Sequence, residues 1–175
     1  MSIGPAALRP IYLMPGTLRC ATEPSLITTI LGSCIALCLW DSARRIGGMN
    51  HYVLPHRIGT DDSSRYGEMA IERLFDALVT QGSAMRDLRA KLFGGATVLA
   101  GSDAGDSIGH RNRQLAEVML RQRRIPVTAQ RTGGRHGLLI RFNTMSGNVE
   151  VRRVAPDVHG WSDIADSREA PQALC

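Results

Sequence analysis

The stretch from Gly32 to Pro55 constrains this chain more than any other. It opens on a short, continuously apolar run, Ile35 to Trp40, closely bounded by Gly32 and Asp41. A run that short and that apolar reads as a buried strand rather than a helix. Asp41 to Arg45 is polar and turn-like. Ile46 to Leu54 then reads as a second strand, which Pro55 ends. The result is an antiparallel hairpin with its apolar strand in a core.

Around the hairpin the pattern is mostly β. Residues 1–10 read as a loose leader. Ile11 to Met14 and Leu18 to Ala21 read as short strands about the Pro15-Gly16 turn pair. In YGEMAIERLFDALVTQG, the residues Ile71, Leu74, Phe75 and Leu78 recur at helical spacing. Asp62, Ser63 or Ser64 is the expected cap, and Gly82 the stop. Lys91 to Ala100 reads as a strand with a bulge at Gly94-Gly95. A second helix is expected from Arg111 to Arg124, with Leu115, Val118, Met119 and Gln122 on one side and Pro126 barring extension. Val127 to Arg131 is expected to pair with Leu138 to Phe142 across a glycine turn. Asn148 to Val154 alternates as a final strand. Residues 11–154 thus read as a single domain. Residues 155–175, polar and broken by Pro156 and Pro171, read as a mobile tail. Strands outnumber helices, so a mixed sheet core under two main helices, an α+β fold, is the simplest architecture.

Bulk properties narrow the function. The 175 residues suit one domain, with 43% hydrophobic and 21% charged content. No apolar run is long enough to cross a membrane, and the start does not read as a signal peptide. A cytoplasmic protein is expected, with no membrane insertion and with Cys20, Cys34, Cys38 and Cys175 reduced. Net charge is +5, carried almost wholly by arginine, with Lys91 the only lysine. A positive field favours an acidic macromolecular partner. Aromatic content is only 5% and no nucleic-acid module is recognisable, so nucleic acid is not the expected partner.

The chemistry concentrates in the hairpin. With its turn centred near Ala43, antiparallel partners should have numbers summing to about 86. Cys34 and His51 sum to 85, so local geometry tends to set a thiol beside an imidazole. One residue of slip would send them to opposite faces, and Gly47-Gly48 is a place where a bulge could absorb it. An isolated thiol is a weak nucleophile at neutral pH; a neighbouring histidine stabilises the thiolate and can protonate a leaving group. Gly32 and Ser33 permit close backbone approach, and the amides here, including that of Cys34, are candidate oxyanion donors. The plain alternative is a strand cysteine and a satisfied core histidine.

Cys34, Cys38, His51 and His56 also match a two-cysteine, two-histidine zinc spacing. In such a finger the histidines occupy a helix, whereas here Pro55 lies between them in an extended segment. Ile35, Ala36 and Leu37 provide no tight turn between the cysteines. No metal is therefore expected. His110, His136 and His159 read as surface residues, and Asp103 and Asp106 as part of a solvated loop.

The segments LGSCIALCLWD and IGGMNHYVLP, followed by YGEMAIERLFDALV, KLFGGATVL, IGHRNRQLAEVML and GGRHGLLIRFNTMSGNVEV, resemble the CheD chemoreceptor glutamine deamidases. The resemblance spans Leu13 to Val154. It implies a three-layer α/β/β sandwich and a cysteine–histidine–threonine triad, with Cys34 as nucleophile, His51 as base and Thr28, six residues before the cysteine, as third member. An even separation on an extended strand puts Thr28 rather than Thr29 on the Cys34 side. The implied reaction converts receptor glutamine side chains to glutamate through a cysteine thioester, with no cofactor. The implied partners are the cytoplasmic helical bundle of chemotaxis receptors and a CheC-type phosphatase. Two alternatives stay open: a non-catalytic module binding such a phosphatase, and methyl-ester cleavage on the same receptor side chains.

Overall fold

The apolar run and its partner strand lie at the centre of a five-stranded sheet. The computed structural model describes residues 7–97, 107–154 and, as backbone, 172–174. Its strands are β1 (Arg9–Tyr12), β2 (Thr17–Cys20), β3 (Ser25–Leu31), β4 (Ile35–Asp41), β5 (Ile46–His51), β6 (Leu88–Gly94), β7 (Val127–Thr132), β8 (Gly137–Asn143), β9 (Val149–Val154) and β10 (Gln172–Leu174). The two helices are α1 (Gly67–Thr80) and α2 (Ile108–Gln122). One sheet has the order β2-β5-β4-β6-β7 and the other β1-β3-β8-β9-β10. Pairing is antiparallel except for β1 with β3 and β6 with β7.

The continuous hydrophobicity of β4 follows from its being covered on both faces. Ile35, Leu37 and Leu39 pack with Leu74, Leu78 and Leu120 beneath the helices. Ala36 and Cys38 face the other sheet, against Ile27, Ile140 and Phe142. Helices, central sheet and outer sheet form three layers around two cores, the α/β/β sandwich that the resemblance implied. The expected helical stripe of Ile71, Leu74, Phe75 and Leu78 is the buried face of α1.

Several local expectations are corrected. Gly47-Gly48 holds no bulge, since β4 and β5 pair without a shift from Cys38–Met49 to Asp41–Ile46. Those glycines are needed for closeness: a Cβ on Gly47 would meet Phe142 at 2.8 Å, and one on Gly48 would meet Leu74 at 2.7 Å. Strand β6 stops at Gly94 instead of running on through a bulge, and Gly94 and Gly95 turn the chain with φ of 103° and 70°. The N-cap of α1 is Tyr66, with no side-chain cap bond. On α2 the buried face is Gly109, Asn112, Ala116, Met119 and Leu120, while Val118 is exposed.

The expected β7–β8 hairpin does not form. Strand β7 pairs parallel with β6, and β8 pairs with β3 and β9 in the other sheet. Gly133 and Gly134, both at positive φ, let the chain cross between sheets there. Strand β1 starts at Arg9, inside the segment expected as leader. The expected tail, His159 in it, and the loop with Asp103 and Asp106 lie outside the described residues, apart from β10.

Candidate active site

The site lies where the chain passes from the outer sheet to the central one. Strand β3 ends at Leu31, residues Gly32 to Cys34 form a corner, and β4 begins at Ile35. The corner's carbonyls are all held. Gly32 O accepts from Ala96 N (2.9 Å) and Cys34 O from Gly95 N (2.8 Å). Ser33 O accepts from Asn112 Nδ2 at 3.1 Å. A Cβ on Gly94 would sit 2.2 Å from Cys34 O, so only glycine allows this approach. A trans peptide directs its N–H opposite to its C=O. The N–H groups of Ser33 and Cys34 therefore face away from these anchors.

His51 ends β5. Ile35 and Tyr52 exchange backbone bonds of 3.2 and 3.0 Å as an isolated bridge. In that register Cys34 lies opposite Val53, and Ala36 opposite His51. Partner numbers thus sum to 87, as for Cys38 and Met49. Cys34 and His51 are diagonal neighbours on one face of the sheet, a relation that spans roughly 7–8 Å between backbones, within reach of long side chains. Both face the layer between the sheets. Cys34 is half-buried and His51 only 1% exposed. The sulfur is therefore the more accessible of the two groups.

The hydroxyl at the His51 imidazole is that of Thr29, not of Thr28. Thr29 Oγ1 lies 2.8 Å from His51 Nδ1 and donates to Leu13 O at 2.7 Å. A hydroxyl has one hydrogen, and the carbonyl takes it. His51 Nδ1–H must then donate to Thr29, which leaves Nε2 as the basic nitrogen. Thr28 points to the other face of β3, in register with Tyr12 and Arg141. The parity that favours Thr28 assumes an extended chain through to Cys34, but β3 ends at Leu31 and the corner resets it. Burial raises the pKa of the Tyr12 phenol, against hydrogen bonding with the Thr29 side chain and the Ile30 backbone.

Burial favours the neutral form of both groups. Burial pushes the Cys34 thiol up, and its own backbone N–H pulls it partly back. Burial alone lowers His51 to about 4. His51 Nε2 is buried without a hydrogen-bond partner, so no bond joins it to the Cys34 sulfur in this geometry. Catalytic contacts are often loose before substrate arrives. Burial thus works against the thiolate–imidazolium pair expected from sequence.

Sequence reasoning missed two asparagines. Asn50 Oδ1 accepts from Leu37 N at 3.0 Å. That bond takes the place of a ladder contact between the Cys38–Met49 and Ile35–Tyr52 pairs, beside His51. Asn112 on α2 reaches the corner itself. Both residues lie within quoted motifs, but nothing in their spacing flags a polar side chain aimed inward.

The remaining candidates separate. His56 is exposed and pairs with Glu68 at 2.8 Å. Cys38 is buried between the sheets. Among the described residues no group of three or more His, Cys, Asp or Glu gathers as a metal would need. No helix among them is long and apolar enough to cross a membrane.

The family described as CheD chemotactic sensory transduction matches residues 53–153. A relative from Rhodospirillum rubrum, named a probable chemoreceptor glutamine deamidase CheD, is 48% identical over 164 residues, covering 91% of this chain and 93% of its own. A Trichlorobacter lovleyi protein of the same name is 44% identical over 147 residues, covering 83% and 91%. An Anaeromyxobacter dehalogenans relative, a probable chemoreceptor glutamine deamidase CheD 1, is 40% identical over 144 residues, covering 82% and 84%.

Proposed function

The chain belongs to the CheD family, and from that premise we propose that it deamidates glutamine side chains on the cytoplasmic domain of chemotaxis receptors. The observation that carries this reading is the corner at Cys34. A half-buried sulfur has the amide N–H of its own residue beside it, and on the same sheet face lies an imidazole whose tautomer Thr29 fixes.

As the Cys34 sulfur adds to the carboxamide carbon, its proton passes to His51 Nε2. The carbonyl oxygen takes the electron pair, and the N–H groups of Ser33 and Cys34 hold that oxyanion. The tetrahedral species collapses. Nitrogen leaves with the proton from Nε2 as ammonia, and a thioester remains. Neutral His51 then takes a proton from water, which attacks the thioester. Glutamate is released and the thiol restored. Thr29 accepts from Nδ1–H throughout, so the ring keeps Nε2 toward the sulfur. No step calls for a metal or organic cofactor.

The test is mass spectrometry and ammonia release on a receptor cytoplasmic fragment, with wild type and Cys34→Ala. Wild type should convert glutamine to glutamate at defined positions, and Cys34→Ala should not. Equal ammonia release by the two would remove Cys34 from the mechanism. Loss of methyl groups in place of amides would reassign the enzyme as an esterase. The CheC-type phosphatase as partner rests on the resemblance alone.

A further inference from the structure

Asn112 is fully buried on α2, at 0% exposure, and its contacts converge on the site. Its side-chain amide donates to Ser33 O at 3.1 Å and to Val53 O at 2.9 Å. Two carbonyl partners assign that atom as the nitrogen, because carbonyls only accept. Its main-chain carbonyl accepts from the Tyr52 hydroxyl at 2.5 Å. Ser33 precedes the nucleophile, Tyr52 follows His51, and Val53 lies opposite Cys34. One residue therefore ties both strands of the site to a helix. Meanwhile Asn112 Oδ1 is buried with no partner. A core position filled for packing alone would avoid that orphaned acceptor, so the amide is retained for what its two donors fix.

We propose that Asn112 is a positioning residue that orients the oxyanion-binding amide of Cys34 by holding the carbonyl of Ser33. The Ser33 carbonyl and the Cys34 N–H belong to one planar peptide and point in opposite directions. With the carbonyl drawn toward α2, the N–H is turned toward the Cys34 sulfur, where the structure has it. Among the described residues it donates to no other main-chain group. Without Asn112 the Ser33 carbonyl loses its hydrogen bond and the peptide its fixed tilt, so the donor is misdirected while the bonds from Ala96 N and Gly95 N keep the sulfur in place. The inference rests on the nucleophile reading above, but not on the identity of the receptor.

The test compares two reactions of Cys34 in wild type and Asn112→Ala. Acylation by p-nitrophenyl acetate forms a sulfur–carbon bond, passes through an oxyanion and expels nitrophenolate. Alkylation by iodoacetamide displaces iodide with no oxyanion. Losing one such donor costs about 10²-fold or more, so acylation should fall roughly that far while alkylation changes by less than about threefold. On the receptor fragment, kcat should fall with acylation and KM should stay nearly constant. Parallel loss of both reactions would make Asn112 a merely structural residue and overturn the proposal, as would unchanged acylation. If Asn112→Ala does not fold, Asn112→Ser, which keeps one donor, is measured by the same ratio. A wild type that acylates but releases no ammonia from receptor fragment defeats the deamidase reading and leaves this comparison decisive.

Discussion

A single residue of offset decides which threonine serves His51. Thr29→Ala removes the acceptor for Nδ1–H and leaves Leu13 O without its donor. Deamidation should fall about 10- to 100-fold, by analogy with loss of the hydrogen-bond partner that orients a metal-ligating histidine. Thr28→Ala, on the opposite face, should leave the rate within about twofold of wild type. Measured turnover of the two variants checks this directly. The pH dependence follows from His51, held near 4 by burial against an ordinary value of 6.5. Its neutral form persists well below pH 6.5, so the acid limb of kcat/KM for the free enzyme should lie near pH 4 to 5. Stability has the matching sign. Above pH 6.5 neither folded nor unfolded His51 is charged. As pH falls toward 4 the unfolded chain gains a proton that the folded one refuses, and folding weakens by up to about 3 kcal/mol. Urea titrations of wild type and His51→Gln across that window should show the acid slope reduced in the variant.

The hairpin was legible as an element because its apolar run and polar turn have only one economical arrangement. The register came out two residues from the Cys34–His51 pairing, which keeps both on one face but makes them diagonal. The turn length estimate could not resolve that offset. The helices were equally legible from periodicity, although the buried face of α2 is set by Gly109 and Asn112 rather than Val118. A glycine packed against Gly95 and an asparagine that grips two carbonyls carry no hydrophobic signal. Strand β7 was misplaced because a glycine-rich connection reads alike whether it closes a hairpin or crosses between sheets. The turn at Gly94 yields a prediction at this scale. Gly94→Ala faces both a φ of 103° and a Cβ 2.2 Å from Cys34 O. It should destabilise the fold by at least about 2 kcal/mol and depress turnover by moving the corner. Denaturation and rate measurements on one sample check both effects.

Across the whole molecule, the three layers explain why the reacting groups come from separate stretches of sequence. Thr29 belongs to the outer sheet and His51 to the central one, and their hydrogen bond crosses the inter-sheet core. That long-range contact was invisible to strand parity; the family resemblance pointed to a threonine without settling which one. The net charge of +5 acts at this scale too. A positive enzyme approaching an acidic receptor surface should lose kcat/KM several-fold as salt is raised, while alkylation of Cys34 by a neutral reagent stays flat. Equal salt dependence of the two would place the effect in the site. The central claim is that Cys34 becomes acylated by a receptor glutamine. Acid quenching of enzyme mixed with receptor fragment, followed by mass mapping of the Cys34 peptide, tests it most directly. A receptor glutamyl thioester on Cys34, abolished by hydroxylamine and absent in Cys34→Ala, is the predicted result. Receptor deamidation that proceeds at the wild-type rate in Cys34→Ala would contradict it.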